Sequence, residues 1–461
     1  MQFKRSFLPT ALNPFTFPLN SWMKIGLTLV LVSFPFQLNS FVFQMEWGKG
    51  FTNPYLSIFF GLTDLFLLLT ATLFFVVGKK QHVKIHGGSP LYFLLVLFCL
   101  ALVLVPLSVS EGDGLFNFFL IIKIFELLLF YLLVVNKILS TQEILRIFIY
   151  SMTLQALLAL SQLIFQSDLG LQVLGEPQIS AENPHLARFS FLSMDILRAY
   201  GTFPHPNILG GFLCMSILST FLIQSRFKHE WTFLFTIQLL GLFATFSRSA
   251  ILGLSFALIL LGFWYFKKLK EKRNLVFMTL IALFLIELSA LLFMRGFYFF
   301  KDSAFLERWE GYKLSFELFS SHPWGLGFGR YTLMMGEGSG VALMPWEYQP
   351  VHNAFLLALV ETGTQGFLLA ILVLGFSLYS LYKRRNDFLS HRKQLRRQVF
   401  FAIVLAFLVL SSFDHYLISL EQGRLLVLLF FSLASLFAYE ALPVYKIRTE
   451  APQSKIQVDL E

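Results

Sequence analysis

Cysteine is nearly absent from this chain: of 461 residues only Cys99 and Cys214 are cysteines, and each sits inside an apolar run. A disulfide framework and a thiolate zinc site are therefore both excluded as organising principles. Charge is also scarce. Only 14% of residues are charged while 56% are hydrophobic, and the mean hydropathy is +0.69. That is too little polar surface for a water-soluble globule, so much of the solvent must be lipid. No Walker-type glycine loop, no His-Glu-x-x-His and no Asp-x-Asp pair occurs, and Asp302, Glu307 and Glu310 lie among basic residues rather than forming a ligand set. ATP-driven and divalent-metal chemistry have no support, and neither metal nor cofactor is expected. Repeats, low-complexity tracts and a separate soluble domain are lacking, so 1–461 reads as one integral membrane domain. Lys4, Arg5 and three prolines by position 18, with no small-x-small site after the first apolar run, argue against a removable signal peptide.

What is present is a succession of apolar runs long enough to cross about 30 Å of hydrocarbon as helices. They lie near 22–43, 55–77, 91–109, 115–136, 144–166, 207–224, 231–246, 250–266, 275–294, 353–382, 398–413 and 425–442. The expected fold class is all-α, a polytopic membrane protein of about twelve transmembrane helices. The net charge of +9 comes from Lys and Arg in short connections, such as Lys79, Lys80 and Lys84, Lys267 to Arg273, and Lys383 to Arg397. No single basic stripe forms, so the excess reports topology and no nucleic-acid partner is expected. The basic connections share one side, which makes that side and both termini cytoplasmic.

Two connections on the opposite side are long, 167–206 and 295–352. Loops of that size usually have a function. In the second, Phe305, Trp309, Tyr312, Phe316 and Phe319 recur at helical spacing, predicting an amphipathic helix at the membrane–water boundary. It ends at Ser321–Tyr331, where Pro323 and alternating glycines predict irregular backbone.

Polar residues cluster at three mouths of apolar helices. Arg198 precedes a Gly-Thr-Phe-Pro-His-Pro-Asn turn ending at Asn207, which is read as the cap of the next helix. Its guanidinium is suited either to a bidentate grip on phosphate oxygens or to a lipid headgroup. His205, between two prolines, reads as a turn residue. Arg248 stands in Ser-Arg-Ser-Ala between runs too close for a true loop, where an arginine must have a partner, a wet cavity or a path to the interface. Arg308 lies on the amphipathic helix, facing either a cleft or solvent, with Arg330 and Lys313 weaker candidates. His352 and Asn353 open a helix that carries Glu361 and Gly363. An imidazole there suits proton abstraction at neutral pH or a cap-region role. Glu361, some two and a half turns deeper, suits a buried hydrogen bond better than acid catalysis.

In this order and on one side of the membrane, Arg198 with 201–207, Ser247 to Ala250, Arg308 with 322–327, and His352, Asn353, Leu356, Glu361 and Gly363 resemble the O-antigen ligase / O-antigen polymerase superfamily. The resemblance covers 190–370 by motif. It implies a GT-C-like glycosyltransferase of a bacterial inner membrane, with the site on the periplasmic face and the large periplasmic loop at 295–352. The implied donor is an undecaprenyl-diphosphate-linked glycan, and a ligase would transfer it to lipid A–core oligosaccharide, metal-independently and with inversion. By resemblance, Arg198 and Arg308 bind the diphosphate and His352 is the essential histidine, with Arg248, Glu361, Asn353, His205 and Asn207 in support. Arg295 and Arg330 lie in the same loop as Arg308. The alternative within the superfamily is a polymerase extending undecaprenyl-linked repeats, and a sister branch glycosylates secreted proteins. An anion or bicarbonate transporter is the alternative from another class, although no inverted repeat is visible.

Overall fold

The computed structural model describes residues 16–36, 39–44, 55, 57–81, 85–88, 114–180, 186–191, 194–223, 228–266, 303–338, 348–383 and 391–440. Among the described residues, apolar runs with few breakers fold mainly as helices. In chain order these are α1 Thr16–Ser33, α2 Leu62–Gln81, α3 Gly114–Val135, α4 Thr141–Phe165, α5 Pro206–Thr220, α6 Lys228–Ala244, α7 Arg248–Phe266, α8 Ser303–Ser321, α9 Tyr331–Gly338, α10 Ala354–Lys383, α11 His391–Phe413, α12 Tyr416–Ser419 and α13 Glu421–Glu440. The protein is a mostly helical membrane protein. Among the described residues, five helices are long and apolar enough to cross a membrane, lying within α2, α3, α4, α10 and α11, and three shorter apolar ones lie within α1, α5 and α7. The expected runs near 91–109 and 275–294 fall outside the described residues, as do Lys84, Arg295 and the basic cluster Lys267 to Arg273.

The first two expected spans are shorter as helices than the sequence suggests. α1 stops at Ser33, and Asn39–Gln44 (β1) pairs antiparallel with Ser57–Gly61 (β2) in a two-stranded ribbon. Alternating Phe41, Phe43, Ile58 and Phe60 suit strand as well as helix, and Pro35 ends α1 by removing a backbone donor. A second ribbon joins Arg188–Phe191 (β3) to Met194–Leu197 (β4) in the 167–206 connection.

The pillar of the bundle is α5, in which every residue from Ile208 to Thr220 is buried. It packs against α4, α6, α7 and α11. Without a hydrophobic driving force between helices in lipid, close approach depends on small residues. Gly241 on α6 meets Ala156 on α4, where an added Cβ would lie 2.6 Å from the alanine Cβ. Gly211 on α5 does the same for Tyr416: a Cβ there would lie 1.7 Å from the phenol oxygen, and the tyrosine is fully buried. That contact clamps the short α12 to the central helix.

The alternating chain direction gathers the starts of α2, α3, α5, α7, α10 and α13 and the ends of α1, α4, α6 and α11 at one end of the bundle. Cross-connections confirm it: Ala199 N donates to Ala244 O (3.0 Å) and Thr202 Oγ1 to Pro35 O (2.9 Å). α10 is interrupted at Gly363 (φ 69°, ψ −175°), backbone open only to glycine. The break leaves carbonyls of Val360 and Glu361 without helical partners, and Leu326 N (3.0 Å) and Gly327 N (2.9 Å) donate to them. Thr364 N returns a bond to Pro323 O (3.0 Å). The glycine-rich strap after α8 is thus inserted main chain to main chain into α10.

Candidate functional site

The ends of β4 and of several helices meet at the gathered end. Arg198 follows β4, and its Nε donates to Thr245 O (2.8 Å) while Nη2 donates to Asn207 Oδ1 (2.5 Å). Asn207 Nδ2 in turn donates to Asp414 Oδ2 (3.1 Å). The carboxylate is almost fully buried at the end of α11, and its other oxygen accepts from His415 N (2.9 Å). Asp414 O also accepts from Ala354 N (3.1 Å), which binds the end of α11 to the start of α10.

The cap of α5 differs from the sequence expectation. His205 is the N-cap, its Nδ1 accepting from Asn207 N (3.2 Å), because Pro206 has a helical φ and no N–H and so begins the helix one residue early. Asn207 is thereby released to bridge Arg198 and Asp414. Asn353 caps α10, its Oδ1 accepting from Phe355 N (2.9 Å) and Leu356 N (3.0 Å). Beside it, His352 lies edge-on to His415, with ring centroids 5.3 Å apart and planes at 73°. His352 forms no hydrogen bond with any described residue, so both ring nitrogens remain for a ligand.

Arg308, half-buried on α8, likewise forms no hydrogen bond or ion pair with a described residue. It is close enough to act electrostatically on Arg198, His352 and His415. Arg248, at the first position of α7, is exposed and also acts on Arg198. α6 and α7 meet in a tight corner at Phe246 (φ 46°), which explains the absence of a loop there. Three guanidinium groups thus surround a region in which Asp414, and Glu307 next to Arg308 on α8, supply the negative charge acting on His352.

Burial and this positive field shift the titrations. Burial, then Arg248 and Arg308, lowers Arg198 to about 10, still protonated at neutral pH. Burial lowers His205 and His415 to about 3 and pulls His352 below its ordinary value, Asp414 opposing and Arg308 reinforcing the last shift. The histidines Asp414 faces hold its own carboxyl below the usual range despite burial. The imidazoles are neutral and the arginines charged, a pairing suited to binding an anion while a neutral base accepts a proton.

Glu361 lies elsewhere. It is buried in α10 with Oε1 accepting from Tyr331 N (3.4 Å), under the strap. α8 also departs from expectation. Its aromatic face divides: Tyr312 and Phe319 pack with Tyr331, Leu357 and Val360, whereas Trp309 and Phe316 are 50% and 57% exposed. Lys313 pairs with Glu310 (2.9 Å) and stays outside the cluster. Asp414 and His415 were not among the residues singled out from sequence. The available signal was an Asp-His pair interrupting two apolar runs, 398–413 and 425–442.

Next to this cluster an apolar groove of about 470 Å³ runs between α10, α11 and α13. Phe355 and Ala358 enter its wall just after His352, while Ser411, Leu417 and Ile418 flank Asp414 in sequence. The groove wall thus comes within three residues of both His352 and Asp414 along the chain, and Glu361 lines it.

Fold and site together define a helical membrane protein with arginines and a neutral histidine assembled at one end of its bundle, near an apolar groove. Residues 233–371 match the family model described as O-antigen ligase, a match that supports the resemblance to the O-antigen ligase superfamily, whose members are glycosyltransferase-like enzymes of O-antigen pathways. Arg248, Arg308, His352 and Glu361 lie within the matched stretch, Arg198 and Asp414 outside it. No curated protein matches the chain.

Proposed function

We propose that this protein is an O-antigen ligase, transferring a glycan from undecaprenyl diphosphate to lipid A–core oligosaccharide on the periplasmic face of the inner membrane. The observation that carries this reading is the convergence of Arg198 and Arg308 on His352, with Arg308 lacking a described partner, near an apolar groove. A lipid-linked diphosphate has the matching chemistry: an anionic head for the arginines and a long apolar tail for the groove.

Transfer breaks the bond between the anomeric carbon and the diphosphate oxygen, which leaves with the electron pair. Arg198 and Arg308 stabilise that charge where other enzymes use a metal ion. His352 takes the proton of the acceptor hydroxyl as its oxygen attacks from the opposite face, giving inversion. Asp414, held by Asn207, favours the imidazolium that results. Asn353 and His205 set the helix starts that carry these groups, and Arg248 adds to the field. Glu361 acts at a distance by holding the strap.

The proposed topology has about twelve spans in a GT-C-like arrangement with both termini cytoplasmic. Lys79, Lys80, Lys137, Arg146, Lys228, Lys393 and Arg396 at the end opposite the site support that orientation. The test is reconstitution of the purified protein with undecaprenyl-diphosphate-linked polysaccharide and core–lipid A in EDTA. A ladder of modified lipopolysaccharide that disappears in His352→Ala is expected. Activity restored only by Mg²⁺, or unchanged in His352→Ala, would overturn the mechanism. Longer undecaprenyl-linked chains formed without core–lipid A would make the enzyme a polymerase instead.

A further inference from the structure

His415 belongs to none of the motifs that carry the family resemblance, yet it is 97% removed from solvent inside the site, with 3% exposure. Its ring is held on three sides. Tyr55 stands edge-on at 5.1 Å between centroids (80°), His352 edge-on at 5.3 Å (73°), and Ser419 Oγ lies 2.7 Å from Nδ1. The same hydroxyl is 3.2 Å from His415 O, to which it donates. A serine hydroxyl has one proton, and with that proton on the carbonyl its oxygen is left to accept. In that arrangement Nδ1 is the protonated nitrogen and Nε2 carries the lone pair; with the proton turned to Nδ1 instead, the tautomer is reversed. Nε2 sits on the far side of the ring from Ser419 and accepts no hydrogen bond from a described residue.

The support behind this arrangement is itself built. Arg424 Nη1 donates to Ile418 O (3.1 Å), and Lys123 Nζ lies 2.9 Å from the carboxylate of Glu421, so the turn carrying Ser419 is tied to α13 and α3. Tyr416, next to His415, is seated against Gly211 of the central helix. Such anchoring on one nitrogen, leaving the other without a described hydrogen-bond partner, is what a hydrogen-bond acceptor in a reaction centre requires.

We infer that His415 is a second imidazole of the reaction centre, locked by Ser419 in the Nδ1–H form so that its Nε2 accepts a hydrogen bond from a hydroxyl of the acceptor sugar beside His352. The inference rests on the transferase reading above. His352 removes the proton of the attacking hydroxyl, and His415 orients the sugar without exchanging a proton. The groups facing it are consistent with a ring that stays uncharged: Arg308 and His352 oppose a positive charge there and Asp414 favours one, with Tyr55 and His205 completing the surroundings.

Three replacements separate the parts of the ring. His415→Phe keeps the edge contacts alone, His415→Asn imitates Nδ1, and His415→Gln places a side-chain amide where Nε2 stood. In the reconstituted assay the acceptor-dependent rate is expected to fall about a hundredfold in the Phe and Asn variants, with the Gln variant recovering a substantial part. Wild-type rates in His415→Phe would make the residue packing, and wild-type rates in His415→Asn would reduce it to an anchor for the turn. Either result overturns the inference. Independently of transfer, ¹⁵N-histidine spectra of the full-length protein in nanodiscs are expected to give His415 a protonated Nδ1 and a pyridine-type Nε2, a bias that Ser419→Ala removes. A protonated Nε2 would refute the inference even in an active enzyme, whereas wild-type protein inactive toward lipid-linked donor would instead count against the transferase reading.

Discussion

Arg198 and Arg308 bring the same charge to the site but are held differently. Arg198 is tied to Thr245 O and Asn207, whereas Arg308 has no described hydrogen-bond partner. At His352 the neighbouring charges act in opposite directions, Asp414 and then Glu307 raising and Arg308 lowering a value already depressed by burial. In the role proposed for it, His352 is a base and works in its neutral form, so the acid limb of the rate profile should lie below pH 6.5, with activity lost as pH falls through the depressed value. Asp414→Asn removes the raising charge and should move that limb to lower pH. Arg308→Ala removes the lowering charge and should move it up, in an enzyme slowed some 10²–10³-fold. The pH dependence of kcat at saturating donor checks both signs, and shifts in the same direction would contradict the electrostatics. Thermal melting follows the same linkage. Histidines with lowered folded-state values bind fewer protons than in the unfolded chain, so their contribution is full above about pH 6.5 and is lost as pH falls through the lowered values.

At the scale of elements, the decisive feature is the strap inserted into α10. Gly363 and Gly325 approach so closely that a Cβ on the first would lie 2.3 Å from Trp324 C, and on the second 2.6 Å from Glu361 O. Both have positive φ, 69° and 97°. Gly363→Ala should therefore cost about 1–3 kcal/mol from backbone strain alone, with a further penalty from the clash. Gly375, on the same helix, has nothing within 4 Å of its would-be Cβ. Gly375→Ala should be neutral or slightly stabilising, so the difference in melting temperature between the two variants isolates the strap. An equal effect at both glycines would mean that the insertion contributes nothing. The Gly-x-Gly and Glu-x-Gly pattern was visible in the sequence, but its two halves are about forty residues apart and their mutual fit was not.

For the whole molecule, the polar cluster and the apolar groove serve as one binding site in the proposed function. Ala370 lies in the groove wall, well along α10 from His352. Ala370→Trp should raise KM for a full-length polyprenyl donor about tenfold, or ~1.4 kcal/mol, and leave a donor with two isoprene units unchanged. Kinetics with the two donors measure this directly; equal effects would place the tail elsewhere. The groove exists because α10 stands away from α11 and α13, a relation between helices that no single run of apolar residues encodes.

Composition and local pattern by themselves determined the solvent, the helices and the polar corners. Scarce charge and long apolar runs required lipid, and each mouth motif, at Arg198, Arg248 and His352, marks a local break in helical backbone. These properties depend on neighbours in the chain, so sequence suffices to read them. The short lengths of α1 and α2 escaped that reading because alternating aromatics satisfy strand and helix alike. Tertiary structure decided the partners: that His205 and not Asn207 caps α5, that Asn207 joins Arg198 to a carboxylate more than two hundred residues away, and that α11 returns to place Asp414 and His415 beside His352. The physical reason is that an Asp-His pair between two apolar segments has the same local signature wherever the chain carries it. Only the packing of α11 and α12 onto α5 brings that pair into the positive field where its chemistry arises.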